Sequence, residues 1–165
     1  MSATGDDWVA GYLAAHADEL VAFRRHLHAH PELSHHEVLT TELIAERLRI
    51  AGLEPTVLSS GTGLVCDVGE AHGPRIVLRA DIDALGMDDT TSAPYRSTVP
   101  GVAHGCGHDL HTTVVLGAGF VILEIREILG MIAAGAGPDR SGFLSAFVNL
   151  VGGQDELVFD GCSFA

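Results

Sequence analysis

Within eight residues, His104 to His111, the chain sets a thiol, three imidazoles and a carboxylate: His104, Cys106, His108, Asp109 and His111. Cys thiolate and neutral imidazole are ligands for zinc and other borderline-soft metals. Gly105 and Gly107 allow the sharp turn that would bring Cys106 and His108 to one ion. The apolar run that follows, Val114 to Leu123, predicts a helix, which places the cluster at a helix N-terminus. There the unpaired amides and the positive end of the dipole favour a thiolate over a thiol. Two other chemistries suit the same residues. Cys106 is compatible with a small buried hydrophobe, or with a reactive thiol activated by a neighbouring His. The i, i+2 spacing favours convergence on an ion over contact between the two side chains, and the metal reading leads.

A second cluster lies upstream. Ile76-Val77-Leu78 is a short apolar, β-branched run that predicts a buried strand. Asp81 and Asp83 follow it, where open α/β sheets place their ligand sites. The two carboxylates share a face if the strand continues; a turn with ordinary Asx caps is the alternative.

Several segments in register carry a family resemblance. They are Phe23-Arg24-Arg25-His26-Leu27-His28-Ala29-His30-Pro31-Glu32-Leu33 with Glu37 and Thr41, Arg79-Ala80-Asp81-Ile82-Asp83-Ala84-Leu85, Tyr95 to Gly101, and Cys106-Gly107-His108-Asp109-Leu110-His111. From about Glu19 to Glu124 the chain resembles the M20 metallopeptidase family, in its amidohydrolase branch of N-acyl-amino-acid, hippurate and auxin-conjugate hydrolases. The resemblance implies that Cys106 and His108 bind a divalent metal, with two zinc, manganese or similar ions in the complete enzyme. It implies that Asp83 supports a metal ligand. Small N-acyl amino acids or peptide-like amides are the implied substrates. The His-x-x-Pro-Glu segment is implied to be scaffold, so His26, His28, His30, His35 and His36 are expected to be structural. His104 and His111 flank the ligand pair, either as supporting groups or as surface residues.

The chain also departs from that family. Gly86 stands where Pro is usual, and Asp88 and Asp89 replace a Gln or Glu, changes expected to soften the loop. No Glu-Glu pair, the family's general base and metal ligand, occurs anywhere, and no His follows His111. Asp155-Glu156 sits in a segment unlike the family's. The expected fold is α/β: a partial N-terminal piece of a zinc-peptidase-like catalytic domain, with helices packed on a mixed sheet. Residues 1–130 are expected to form that piece, and 131–165 a divergent tail of a truncated or frameshifted gene, without the inserted dimerisation domain. The expected function is metal-dependent amide hydrolysis by resemblance, inactive as this chain. A non-catalytic metal- or partner-binding module is the alternative.

Composition narrows the partners. The formal net charge is −13, and every one of the 9 basic residues is Arg. Such acidity argues against nucleic acid or an anionic membrane, which require a basic face. Cys66, Cys106 and Cys162 are too few and too scattered for a disulfide framework. The first residues lack a signal-peptide pattern, so a cytoplasmic protein is expected. The positioning elements are a helix from Asp6 or Asp7 to about His30, with Trp8, Leu13, Leu20, Phe23 and Leu27 as its apolar stripe, and a second helix ended by Gly52. Ser34 and Glu37 are the expected capping box of that second helix. Strands are expected at Thr56–Ser59 and Gly63–Val68, then at Ile76, and a helix opens near His108.

Overall fold

The computed structural model describes residues 5–69, 75–131 and 145–151. The helix α1 spans Gly5–Ala29, α2 Val38–Ile50 and α3 His108–Met131; the strands are β1 Thr56–Val57, β2 Leu64–Val68, β3 Arg75–Asp81 and β4 Ser145–Val151. The sheet order is β1-β2-β4-β3. Its inner pairs differ in sense: β2 and β4 run antiparallel, Cys66 opposite Val148, while β3 and β4 run parallel, Leu78 opposite Val148. The chain is thus an α/β unit with a mixed sheet, and β3, α3 and β4 form a crossover. Asp155, Glu156 and Cys162 lie outside the described residues, as does most of the segment 131–165.

One face of the sheet carries the core. Alternation along β2 turns Leu64, Cys66 and Val68 inward, where they meet Phe23 and Leu27 of α1, Ile44, Ala45 and Leu48 of α2, and Leu116 of α3. Ala80 and Ile82 complete this cluster at the end of β3. Burial pushes the Cys66 thiol up to about 11, which fits an inert core residue. Ile76 and Val77, by contrast, are exposed, at 44% and 57%. The expectation of a buried β3 fails over its first half, where residues on both faces are exposed, and burial begins only toward Ala80 near the strand's C-terminal end. On α1, Phe23, Leu27 and Tyr12 are buried but Leu13 is exposed, so the stripe is narrower than the sequence pattern indicated. The helix opens at Gly5, which puts Asp6 and Asp7 inside its first turn. Among the described residues no helix is long and apolar enough to cross a membrane.

The start of α2 corrects the capping expectation. The residue before the helix is Glu37, not Ser34, and its side chain makes no capping hydrogen bond. The cap comes from Glu32, whose carboxylate accepts from the backbone N–H of Leu39 at 3.2 Å and of Thr40 at 2.7 Å. A carboxylate satisfying two first-turn donors also meets the positive end of the helix dipole. Gly52 ends the helix as expected, at φ 77° in the left-handed region that favours glycine. Thr41 links α2 to the β1–β2 hairpin, donating to the Glu37 carbonyl and accepting from the Gly63 N–H at 2.9 Å.

Replacing the cap tests this assignment. Glu32→Ala is expected to lower stability by about 1 kcal/mol, within the range for lost N-caps, whereas Ser34→Ala should change it by under about 0.5 kcal/mol. Urea unfolding of the two variants distinguishes them; a larger loss for Ser34→Ala would restore the capping box.

Candidate metal centre

The end of β3, the loop after it and the first turn of α3 meet at one place. Beyond Asp81 the chain is pinned by a bridge between Leu33 and Ala84 and another between Leu85 and Ala103. The Thr98 N–H and hydroxyl both donate to the Ala29 carbonyl at the end of α1. Asp88 and Asp89 organise this loop rather than soften it. Asp88 accepts from the Gly101 N–H, and Asp89 accepts from the N–H groups of Thr91 and Ser97. Those amides hold the Asp89 carboxyl well below the usual carboxylate range.

The turn before α3 needs both glycines, for different reasons. Gly107 has φ 78°, where an L side chain is strained. At Gly105 the demand is milder: a Cβ there would lie 2.5 Å from the Met87 sulfur, so that exposed, flexible side chain would have to move aside. Between them Cys106 is exposed and carries a free thiol. His108, the first residue of α3, points its Nδ1 at Asp83, 2.9 Å from Oδ1 and 3.0 Å from the Asp83 carbonyl oxygen. A carbonyl oxygen only accepts, so Nδ1 donates here and Nε2 is the ring nitrogen left available to a ligand. This is the carboxylate–histidine arrangement that orients an imidazole toward a metal. Asp81 does not join it; its carboxylate pairs with Arg79 at 2.6 Å on the same strand. His111 is exposed, its ring 5.9 Å from that of His108.

Behind this outer pair lies a buried polar layer that the spacing of residues did not reveal. Asp109 is fully buried, and its Oδ2 accepts from Arg24 Nε and His28 Nδ1, both at 2.8 Å. His28 turns its other nitrogen toward Asp89 at 3.4 Å and sets its ring edge-on to Tyr95. Arg24 and Arg25 lie over the Tyr95 ring. The expectation that His28 is scaffold therefore acquires a partner, 81 residues away in sequence.

Three buried groups keep unpartnered atoms: both oxygens of Glu37, both ring nitrogens of His104, and Oδ1 of Asp109. Burial pushes the Glu37 carboxyl up, Asp83 adding to the effect while nearby backbone amides oppose it. Burial likewise pushes His104 down to about 4, with Asp109 opposing, so this imidazole is neutral at neutral pH. Five unsatisfied atoms around Asp83 and His108 are unusual, since buried polar groups almost always find partners.

The donors fit a borderline-soft divalent ion, with one thiol and one oriented imidazole nitrogen. They are an incomplete set, because zinc sites take three or four protein ligands. Among the described residues no three His, Cys, Asp or Glu side chains are gathered so that they could hold an ion.

Two outcomes follow. Asp109→Ala is expected to cost about 3 kcal/mol in urea unfolding, the bottom of the range for breaking a buried pair, since Arg24 keeps some solvent; a loss below about 0.5 kcal/mol, as for ordinary surface changes, would remove Asp109 from its central role. His104 binds fewer protons folded than unfolded between its ordinary value near 6.5 and its folded value of about 4. Wild-type stability relative to His104→Leu should therefore fall as pH drops through that window, by on the order of 3 kcal/mol in all. Parallel pH curves for the two metal-free proteins would show that His104 titrates normally.

Comparison with known proteins adds the lineage. Residues 77–133 match the model of peptidase family M20/M25/M40. The chain is 46% identical over 114 residues to the N-acetyl-L-cysteine deacetylase of Bacillus subtilis, covering 67% of this chain and 27% of that protein. It is 54% identical over 106 residues to a Rhodococcus jostii protein named as a glutamate–cysteine ligase, covering 64% of this chain but 13% of that one. The crystal structure of the Bacillus subtilis YXEP protein, described as a dinuclear metal-binding peptidase of the M20 family, superposes with a TM-score of 0.70 at 32% identity. That superposition covers 83% of this chain and 35% of the other. The chain thus spans well under half the length of the relatives it matches. Motifs, fold and sequence agree: the chain belongs to the M20 peptidase family, in its amidohydrolase branch.

Proposed function

We propose that these residues form the metal-binding part of an amide hydrolase acting on N-acyl amino acids or similar peptide-like amides. Cys106 and His108 are its metal ligands and Asp83 positions His108. The observation that carries this reading is the Asp83–His108 contact, which leaves Nε2 available two residues along the turn from the exposed Cys106 thiol. Similarity to a relative named for N-acetyl-L-cysteine deacetylation supports the substrate class. A bound divalent ion would supply Lewis-acid polarisation of the scissile carbonyl and acidify a water. The residues present would hold and orient such an ion, Asp83 by fixing the His108 tautomer. The proton transfer to the leaving amine requires a base that the family draws from a Glu-Glu pair, and the 165 residues contain no such pair. We therefore expect weak metal binding and little or no turnover from this chain by itself, with zinc, manganese or a similar ion as the metal.

The test uses Co(II), whose thiolate charge-transfer absorption reports a sulfur ligand directly. Co(II) added to the wild-type chain is expected to give that absorption, and Cys106→Ser to abolish it. Asp83→Ala should weaken binding by about 10–100-fold, as for other supporting carboxylates. No sulfur–cobalt absorption in folded protein would sink the ligand assignment. Hydrolysis of N-acetyl and N-benzoyl amino acids with added zinc or manganese tests the second half: turnover lost in Cys106→Ser would show that the chain completes its own centre.

A further inference from the structure

Two histidines at the end of α1, His26 and His30, take no part in the centre described above, and their geometry is specific. His26 and His30 stand one turn apart, their ring centroids 4.4 Å from each other and the planes tilted by 32°. Both are exposed. His30 Nδ1 lies 2.8 Å from the His26 carbonyl oxygen. A carbonyl accepts only, so Nδ1 is the protonated nitrogen and Nε2 is left with its lone pair facing away from the helix backbone. A donated ring N–H to a backbone carbonyl is the usual support of a metal-binding imidazole.

We propose that His26 and His30 form a separate two-imidazole site for a borderline divalent transition ion, Ni(II) or Cu(II), completed by water. Two nitrogens on one such ion lie about 3 Å apart, given metal–nitrogen bonds of about 2.0–2.1 Å. Rings with centroids 4.4 Å apart are already close to that spacing, and the exposed His26 side chain is the one whose rotation would have to close it. The location helps as well: α1 ends at Ala29, and the negative end of a helix dipole favours a cation. The neighbouring positive charges are engaged elsewhere, Arg24 on Asp109 and Arg25 over the Tyr95 ring. Two imidazoles with open positions suit tetragonal Ni(II) and Cu(II) rather than a closed structural zinc site. The site shares no residue with Cys106, His108 or Asp83.

Ni(II) is the probe, because Cu(II) would oxidise the exposed Cys106 thiol. It is titrated by calorimetry into metal-free wild type and into Cys106→Ser, and then into Cys106→Ser carrying His26→Ala, His30→Ala or His16→Ala. Binding is expected to survive Cys106→Ser and to weaken at least tenfold on removal of either imidazole. His16, about 15 Å away along the helix, should be dispensable. Circular dichroism confirms that each variant keeps its helices. Affinity unchanged in either His26→Ala or His30→Ala, or no Ni(II) binding once the Cys106 thiol is gone, overturns the proposal. Neither result touches the Co(II) absorption that tests Cys106.

Discussion

A single buried carboxylate, Asp109, holds the two parts of the molecule on which everything else rests. It belongs to the first turn of α3, where its charge meets the positive end of the dipole. Its partners Arg24 and His28 belong to the last turns of α1. Because His108 precedes it directly, whatever fixes Asp109 fixes the angle at which His108 leaves the helix. The clamp extends outward through His28 to Asp89, and Asp89 in turn gathers the Thr91 and Ser97 amides of the long loop. One ion-pair network thus sets α1, α3 and the loop in register around the Asp83–His108 pair. Hydrophobic contacts between Phe23, Leu27 and Leu116 bring the helices together, but they are not directional. The carboxylate selects one arrangement among those the core permits.

This arrangement has a cost that the fold carries elsewhere. Unsatisfied buried polar groups destabilise by about 1–3 kcal/mol each, and His104, Glu37 and Asp109 each contribute at least one such atom. A packed domain sheds groups of this kind unless they have work to do. Here they lie around the Asp83–His108 pair. A neutral His104 removes one charge from the low-dielectric layer behind Asp83 and His108, and burial shifts the Glu37 carboxyl in the same direction, toward its uncharged form. The electrostatic field at the centre is then set by Asp83 and Asp109, both anchored.

Local signals made most of the elements legible. The turn residues around Gly61 and Gly63, the Gly52 stop and the apolar run after His111 placed the hairpin, α2 and α3 close to where they lie. A supporting role for Asp83 was also legible, through resemblance rather than spacing, although its partner His108 was not. What the sequence concealed was long-range. Glu32 caps α2 from across the Pro31–His36 turn, a reach that a capping box written over three residues cannot describe. Asp109 reaches back to His28 across 81 positions, and nothing about either residue alone names the other. The exposure of Ile76 and Val77 was hidden for a different reason: an apolar β-branched run predicts a strand but not which of its faces is covered. Local chemistry fixes elements, while the identity of partners depends on how those elements pack.

The same distinction governs the centre's chemistry. An exposed Cys106 and an oriented His108 are provided by a turn of three residues and one supporting carboxylate, so they form wherever β3 and α3 meet. Catalysis asks for more: further ligands to fix the ion's geometry, and a base placed for the leaving amine. Those groups cannot be generated by the same local turn, because a single loop offers only a few donor directions around an ion. They must arrive from elements distant in sequence, as Arg24 and His28 do for Asp109. The metal-binding half of such a site is a local property of the chain, and its reactivity is a property of how much of the domain is assembled around it.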